Sequence, residues 1–573
     1  MYLIPQPKLI KQGNSTLSCR TIHVVSQIND ARIVKALEKL PLSKNGIPMS
    51  IECGSTMGEG YRLTMEESAI LLEAEGPAGI FYGIQTLRQI YTHNVIPSIY
   101  IEDEPQMEYR GFYHDITRGK VPTVDTLKKL IDKLAYFKQN SLQLYVEHSF
   151  EFKELSDVKE KLGYITADEI REIDEYCYEN FIEFIPSLAT CGHLYELLQQ
   201  KKYSHLQELE SYTPENVFWL ERMDHHTIDP LNPESFELIK SLLDQYLPLF
   251  RSNKVNICGD EPFDLSIGKH KHMDTDKLYV DFMKKIISYL QSKGKSVMMW
   301  ADPIILDNIE SVGEIPDDVV LLTWGYGTDV PEERVSALES LKNQFYVCPG
   351  TSSWYRFSEK ASVSEVNIAR LAAFGEKYGA KGLLNTNWGD YGHPCSLELS
   401  MFGLMVGAEK AWCSSAPIDD NFRAGVNHLL YNNENGMKYL YELDRLSTGA
   451  EFAIFVRYYS NLICEGRVEV EFPREETLRE TMCGCKALAD KLSRESWENE
   501  EYRIEMMIAA EGVAVMAELF AQNLGYTIRR WTNTEEWLKR YRAQWMKKNK
   551  ECELVEIEKM FRFMEKRENE YIQ

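Results

Sequence analysis

Lys254-Val-Asn-Ile-Cys-Gly-Asp-Glu261 is a short apolar run that leads directly into two adjacent carboxylates. The run predicts a buried strand, and Gly259 leaves space for another group to approach the backbone. Two acids side by side at a strand end repel each other and lose hydration, so we expect one of them to hold its proton to unusually high pH. Such a carboxyl group can act as a general acid. The alternative is a pair that only caps a helix or faces water, and the context must decide.

The strand belongs to a repeating pattern between residues 105 and 413. Strands alternate there with amphipathic helices, which is typical of parallel βαβ units. Thr166-Ala-Asp-Glu169 is a capping box, and Asn232-Pro233 places a cap residue before a proline at the first helical position. Eight strands predict an α/β fold with a closed (β/α)8 TIM barrel: Tyr109 to Ile116, Ser141 to Glu147, Phe181 to Leu188, Lys254 to Gly259, Ser296 to Trp300, Val319 to Trp324, Phe345 to Pro349 and Gly382 to Asn387.

The regions on either side of the barrel have different patterns. Residues 1–104 mix short strands with helices at Asp30 to Leu40 and Gly79 to Tyr91, which predicts a small N-terminal α+β domain. The acidic segment Ile101-Glu-Asp-Glu-Pro105 is interpreted as a linker. Residues 414–573 predict a C-terminal helical region with long helices at Gly436 to Leu462, Glu475 to Leu492, Glu500 to Gln522 and Thr534 to Glu570.

Composition limits the classes of function. At 573 residues the chain is long enough for three or four units with ample core. The formal net charge of -24 argues against partners that are nucleic acids or anionic membranes, because both would repel the chain. The start of the chain lacks a signal-peptide pattern, and the twelve cysteines are scattered singly, so we expect a cytoplasmic protein with reduced thiols.

In an eight-stranded βα barrel the functional groups lie at the carboxyl ends of the strands. Four of the ten tryptophans fall at or just beyond the ends of the last four strands, which core packing alone would not select. The first strand ends in His114-Asp115 with Arg118 beyond. The other candidates at these ends are Glu147, His148, His193, Asp260, Glu261, Trp300, Trp324, Trp354, Tyr355, Trp388 and Asp390, and Asp302 follows the fifth strand closely.

Tryptophans around a site with acids and few cations are typical of a carbohydrate pocket, because sugar rings offer C–H faces for stacking and hydroxyls for carboxylates. His148 and His193 lack the paired spacing of metal ligands, so no metal is expected. No glycine-rich phosphate loop or cofactor lysine stands out, and no cofactor is expected. The segment from Ala189 to Leu231 is far longer than an ordinary βα loop and is expected to contribute to function.

Several ordered motifs resemble those of the family 20 glycoside hydrolases, the β-N-acetylhexosaminidases. Cys258-Gly-Asp-Glu261 is similar to the family's catalytic Gly-Gly-Asp-Glu. Tyr109-Arg-Gly111 with Asp115-Ile-Thr-Arg118 resembles the first-strand motif, and Gly79 to Leu87 resembles the helix that closes the accessory domain. The third-strand region is matched by Ile185-Pro186, Gly192-His193 and Leu231-Asn-Pro233. The resemblance covers roughly residues 1–413 and leaves the helical region unmatched.

This resemblance implies a retaining exo-β-N-acetylhexosaminidase that removes terminal N-acetylglucosamine or N-acetylgalactosamine. Glu261 would be the general acid and then the base, and Asp260 would orient the substrate's 2-acetamido group, which attacks the anomeric carbon and forms an oxazolinium intermediate. Arg110 and Asp390 would bind the outer hydroxyls of the sugar, and Trp388 would form the pocket floor. Trp300, Trp324 and Trp354 would surround the acetamido methyl, and Glu147 and His193 are further candidates for substrate binding.

The chain also departs from the family pattern. Asn256-Ile-Cys-Gly259 replaces the usual His-Ile-Gly-Gly, and Gln143-Leu-Tyr-Val-Glu-His148 lacks the common His-Trp-His. Tyr355 is a candidate for the tyrosine that hydrogen-bonds the acetamido oxygen, with its register open. Two other readings stay open: a non-catalytic sugar-binding scaffold, and a glycosidase with Glu147 or Asp390 as nucleophile, about 5–5.5 Å from the acid. The C-terminal helices could build a homodimer.

Overall fold

The computed structural model describes residues 1–54, 58–301 and 312–571. Asp302 lies outside these residues. Two sheets organise the described chain, one in residues 9–103 and one in residues 109–387. No helix in the described ranges is long and apolar enough to cross a membrane. All twelve cysteines are free, as the scattered spacing predicted.

The first sheet has six strands in the order β1-β6-β4-β5-β3-β2. Alternating residues along Tyr61–Glu66 are buried, which gives the sheet one apolar face. Helix Pro77–Ile90 is buried on nearly every side, because it lies between this sheet and the barrel. The strands are β1 Leu9–Thr16, β2 Ile22–Val24, β3 Ile47–Cys53, β4 Tyr61–Glu66, β5 Ala69–Ala74 and β6 Pro97–Asp103, and the other helix is Ala31–Leu37.

The predicted linker is wrong in its first half. Residues Ile101 to Asp103 end strand β6, which pairs with β1 on one side and β4 on the other. The Asp103 carboxylate is buried and accepts hydrogen bonds from the Tyr61 hydroxyl (2.7 Å), the Lys138 ammonium (2.9 Å) and the Trp412 indole (2.8 Å). Asp103 thus belongs to a buried polar contact with the barrel and is not a solvent-exposed linker residue.

The second sheet is the predicted eight-stranded parallel barrel, and all eight predicted strands are present. Neighbouring strands pair in chain order, β14 pairs with β7, and a bridge between Ser187 and Asn256 joins β9 to β10. The barrel is therefore closed. Its strands are β7 Tyr109–Asp115, β8 Ser141–Tyr145, β9 Glu183–Pro186, β10 Lys254–Asn256, β11 Ser296–Trp300, β12 Val320–Trp324, β13 Phe345–Cys348 and β14 Gly382–Asn387.

Helices surround the barrel. Both start signals have the predicted geometry: Thr166 and Glu169 form a reciprocal capping box, and the Asn232 side chain accepts from the Glu234 amide. The longer barrel helices are Val124–Tyr136, Ala167–Glu179, Pro233–Tyr246, Thr275–Ser292 and Ala361–Tyr378. Short helices lie in the connections at Lys159–Leu162, Tyr195–Leu198, Phe218–Asp224 and Glu333–Ser336.

The chain after the barrel is helical, but two predicted helices are each interrupted. The predicted helix from Gly436 to Leu462 breaks at residues 448–451, and the one from Thr534 to Glu570 breaks at residues 549–553. Most of the large apolar residues of the last two helices are buried and form core, among them Trp537, Tyr541, Trp545, Leu554, Ile557 and Phe561. The helices are Met401–Trp412, Asp420–Val426, Gly436–Ser447, Phe452–Ile463, Glu475–Leu492, Glu500–Asn523, Thr534–Lys548 and Leu554–Tyr571.

Candidate active site

Asp260 and Glu261 lie at the carboxyl end of β10, where the backbone turns sharply. Cys258, Gly259 and Glu261 have positive φ angles of 54°, 87° and 51°. Helix Thr275–Ser292 holds this turn in place. The Tyr279 hydroxyl donates to the Gly259 carbonyl (2.7 Å), and Met283 packs so closely that a Cβ at Gly259 would lie only 2.5 Å from it. Backbone strain of this kind persists only where the surrounding structure holds it, and it is common at functional sites.

A single imidazole contacts both acids. His193 Nε2 lies 3.3 Å from Oδ2 of Asp260 and 3.3 Å from Oε2 of Glu261. Gly192 allows this approach, since a Cβ there would meet the Asp260 carbonyl at 2.3 Å. Burial lowers the pKa of His193, but the charge of Asp260 and hydrogen bonds to both acids raise it to about 10. The ring is therefore a buried cation at neutral pH and offsets the repulsion between the two carboxylates.

Arg118 is the second buried cation of the site. Its guanidinium lies 3.1 Å from Asp390, 3.4 Å from Asp115 and 3.4 Å from Glu147, and it packs over the rings of Tyr145 and Trp388. It also lies 3.3 Å from Nδ1 of His193. Burial raises the pKa values of Glu147 and Asp390, and the charge of Arg118 opposes this effect. Arg118 thus links the strand ends of β7, β8 and β14 to the acid pair.

A cavity of about 160 Å³ opens beside the acids. Among the described residues, three carboxylates line it, together with one arginine, one methionine and six aromatic side chains. The tryptophans pack against tyrosines: Trp324 stacks on Tyr326 with ring centres 5.4 Å apart, and Trp354 lies 4.9 Å from the same ring. The lining residues are Arg118, Met223, Asp260, Glu261, Trp300, Trp324, Tyr326, Trp354, Tyr355, Trp388 and Asp390.

The structure brings most of the predicted site residues together. Asp260, Glu261, Asp390 and the four predicted tryptophans line the cavity, although Trp300 is only 1% exposed. His193 and Glu147 lie behind the lining: His193 contacts the acids, and Glu147 accepts from Tyr145 (2.9 Å) and pairs with Arg118. His148 is buried, and burial lowers its pKa, so it is a neutral ring. These placements locate the residues, and their roles stay predictions.

The prediction for Arg110 is wrong. Arg110 is the second residue of β7, about 16 Å along the strand from Asp115 at the rise of roughly 3.3 Å per residue. It pairs with Glu59 of the first sheet's region at 2.7 Å and donates to the carbonyls of Met107 and Lys138. It therefore lies at the amino end of the barrel, against the N-terminal sheet, and cannot reach a sugar beside Asp260.

Sequence reasoning assigned no role to three lining residues. Arg118 lies three residues after the end of the first strand, and this position is the signal that identifies it. Tyr326 follows Trp324 by two residues, so it also lies just beyond the end of its strand. Met223 lies in the long segment between Ala189 and Leu231, whose length predicted function but not which residue provides it.

Two family descriptions match the chain. The catalytic domain of glycosyl hydrolase family 20 matches residues 107–381, and domain 2 of the same family matches residues 1–104. The chain belongs to glycoside hydrolase family 20. The catalytic match covers the first seven strands of the barrel with the acid pair and ends just before β14, and the second match covers the N-terminal sheet.

Curated family 20 relatives are distant in sequence. The beta-hexosaminidase of Porphyromonas gingivalis is 25% identical over 359 residues, which are 56% of this chain and 44% of the relative. Hexosaminidase D of Homo sapiens is 23% identical over 362 residues, 58% of this chain and 70% of the relative. This chain thus spans less than half the length of the bacterial relative.

Solved family 20 structures have the same fold. The exo β-N-acetylglucosaminidase of Vibrio harveyi, solved with N-acetylglucosamine, has a TM-score of 0.60 at 18% identity and covers 74% of this chain and 76% of its own. The chitobiase of Flavobacterium johnsoniae has a TM-score of 0.61 at 17% identity, and the match covers 94% of this chain and 95% of the chitobiase chain. The second match extends the likeness of fold beyond the barrel.

Proposed function

We propose that this family 20 chain is a retaining exo-β-N-acetylhexosaminidase that acts on glycans or glycoconjugates ending in β-linked N-acetylglucosamine or N-acetylgalactosamine. The observation that carries the proposal is the shared contact of Asp260 and Glu261 with His193 beside a tryptophan-lined cavity. The names of the family 20 relatives support the same activity. The cavity volume of about 160 Å³ is below the roughly 300–1,000 Å³ of pockets for drug-sized ligands, which suits one terminal sugar.

In the first step Glu261 protonates the glycosidic oxygen while the acetamido oxygen of the substrate attacks the anomeric carbon. The bond to the leaving group breaks, and the sugar closes into an oxazolinium ion. Asp260 accepts the acetamido N–H and balances the positive charge that develops there. Glu261, now a carboxylate, then removes a proton from water, which opens the ring at the anomeric carbon and retains the configuration.

Adjacent acids suit this mechanism, because neither has to lie across the sugar ring as a nucleophile. Glu147 lies behind the lining with its carboxylate bound to Tyr145 and Arg118. Asp390 lines the cavity but is held at 3.1 Å from Arg118. Both are better placed to fix Arg118 than to attack carbon, and this favours the substrate's own acetamido group over a carboxylate nucleophile.

The other end of the cavity suits the outer hydroxyls of the sugar. Arg118 supplies donors there in place of Arg110, and Asp390 supplies acceptors. Tyr326 is the better candidate for the acetamido oxygen. Its hydroxyl accepts from the Trp388 indole, which leaves its own proton free to donate, whereas Tyr355 lies against Asp390 and Tyr391. The twelve free cysteines support the proposal of a cytoplasmic location. The domain boundaries at residues 104 and 413 stay predictions. The homodimer also stays a prediction.

The decisive experiment compares hydrolysis of an aryl N-acetyl-β-glucosaminide with hydrolysis of the matching aryl β-glucoside. Cleavage of the first alone supports the acetamido mechanism. Comparable cleavage of both would contradict it and favour a protein nucleophile. Binding of N-acetylglucosamine without cleavage of either would favour a sugar-binding scaffold.

The acid is tested with Glu261→Gln. Turnover of substrates with poorly activated leaving groups should fall by about 10²–10⁴-fold, because they need the proton, and turnover of activated aryl substrates should fall less. Glu172→Gln is the matched control, since Glu172 is an exposed carboxylate paired with Lys128 at 2.6 Å. Equal losses for all leaving groups would contradict the role of Glu261 as acid.

A further inference from the structure

The break between the last two helices, residues 549–553, lies against the barrel; we call it the C-terminal turn. Its backbone pairs with the segment that follows Arg118. The Lys550 amide donates to the Val121 carbonyl (2.8 Å), Asn549 forms an antiparallel bridge with Pro122, and the Glu553 amide donates to the Gly119 carbonyl (3.3 Å). The loop that carries Arg118 into the cavity is therefore fixed along its length by the C-terminal turn.

The turn also reaches the long loop after β9. The buried Glu553 carboxylate accepts from the Trp219 indole and from the Arg222 guanidinium, each at 2.7 Å. Both Glu553 and Arg222 are at most 3% exposed, so this ion pair is desolvated. Met223, the next residue after Arg222, lines the cavity. A contact from the end of the chain thus determines where this part of the cavity wall lies.

A third loop, after β14, packs between the other two. A Cβ at Gly392 would lie 2.8 Å from the Trp219 ring, and a Cβ at Gly119 would lie 2.7 Å from the Gly392 backbone. The Tyr541 hydroxyl, from the helix before the C-terminal turn, donates to the Pro394 carbonyl (3.0 Å). Asp390 lies two residues before Gly392, so the loop that supplies Asp390 is fixed by the same packing.

We propose that the C-terminal turn positions Arg118, Met223 and Asp390, and that Glu553 is a positioning residue for the sugar-binding side of the cavity. The inference rests on the proposed hexosaminidase function and adds a role for a region outside the two family matches. A buried ion pair adds little net stability compared with apolar packing, but its geometry is directional. It is therefore suited to holding a loop in one place.

The test compares Glu553→Gln with Glu551→Gln in the full chain. Glu551 lies in the same turn, but its carboxylate pairs with Arg542 of the preceding helix and is half-exposed. Glu553→Gln removes one of two carboxylates that pair with Arg222, the other being Glu196 at 2.6 Å, and keeps the shape of the side chain. We expect kcat/KM for the aryl N-acetyl-β-glucosaminide to fall by about 10- to 100-fold, mainly through KM, because a displacement of roughly 1 Å can cost that much. Glu551→Gln should behave as wild type.

Hydrogen exchange provides a readout that does not depend on activity. Glu553→Gln should speed backbone exchange in residues 119–123, 219–226 and 390–394, and Glu551→Gln should not. The double variant Arg222→Met with Glu553→Gln should recover part of the loss in both readouts, because it removes the buried cation together with the buried carboxylate and leaves only the partly exposed Glu196 without its partner.

A lower kcat at unchanged KM would show loss of folded enzyme and would overturn the inference, as would wild-type exchange in all three loops. If wild type does not cleave the aryl N-acetyl-β-glucosaminide, the proposed function fails, while the exchange comparison still decides whether the C-terminal turn holds the loops.

Discussion

The charge of His193 gives a direct test of how the acid pair is organised. Burial lowers the pKa of His193, whereas Asp260 raises it through its charge and a hydrogen bond, and Glu261 raises it through a hydrogen bond. Replacing Asp260 with Asn removes the larger of the two contributions that raise the pKa of His193. We expect the pKa of His193 in this variant to return to 6.5 or below, since burial then dominates. Glu261→Gln should leave it above 6.5.

The size of the effect follows from the pKa. A value of about 10 against the ordinary 6.5 corresponds to roughly 5 kcal/mol of stabilisation of the imidazolium. Because the pKa is raised in the folded chain, this stabilisation is fully present below about pH 6.5 and is lost as the pH rises toward 10. The gap in thermal midpoint between wild type and His193→Gln should therefore narrow from pH 7 to pH 9.

Nuclear magnetic resonance of the chain with ¹³C-labelled histidine measures the titration. His193→Gln identifies the His193 signal by its loss. In wild type the signal should stay in the protonated position up to about pH 9, and in Asp260→Asn it should be in the neutral position at pH 8. A wild-type titration near pH 6.5, or an unchanged titration in Asp260→Asn, would refute the proposed organisation of the acid pair.

Three further predictions follow from the same structure. Tyr326→Phe should lower kcat/KM for the acetamido substrate by about 10²–10³-fold, as for loss of one positioned donor; a larger loss in Tyr355→Phe would reassign that role. Arg118→Lys keeps the charge but not the fork, so kcat/KM should fall roughly 30-fold or more, and wild-type kinetics would contradict a part in binding. Asp103→Asn leaves the buried Lys138 ammonium without its carboxylate partner, so the free energy of unfolding should fall by about 3–5 kcal/mol. The urea midpoint should fall with it, and an unchanged midpoint would count against a stabilising role for this ion pair.

The barrel and the cavity lining could be predicted because they depend on local order in the chain. Each strand of a parallel barrel is an apolar run with its own functional residues at or just after its carboxyl end, and Trp324, Trp388 and Asp260 occupy such positions. The closed sheet then brings these ends together without any further information. Eight correct strands were therefore enough to place most of the lining.

Arg110 and Arg118 show where this reasoning failed. Both lie in one motif at the first strand, and the family resemblance assigned the outer hydroxyls of the sugar to Arg110, which is the wrong one of the two. Position along the strand decides it, since β7 points its carboxyl end at the cavity and its amino end at the N-terminal sheet. The partner of Arg110 is Glu59, which is distant in sequence, and no local pattern predicts such a contact.

The break between the last two helices has the same origin. Residues 534–570 are rich in helix-forming side chains, and intrinsic propensity predicts one continuous helix. The break at residues 549–553 is stabilised by backbone contacts with residues 119–122 and by Arg222, all far away in the chain. Tertiary contacts therefore overrode local preference at the segment that reaches the active-site loops.

The charges around the cavity point to the kind of transition state that the site favours. Among the described residues, Arg118 and His193 are the cations that contact five acids there, namely Asp115, Glu147, Asp260, Glu261 and Asp390. If Glu261 enters the reaction protonated, the surplus is still negative. Negative charge that is fixed before the reaction stabilises a positive charge that develops during it. The oxazolinium ion and the transition state leading to it carry such a charge on the sugar, so the same residues that bind a neutral sugar weakly can bind its reacting form strongly.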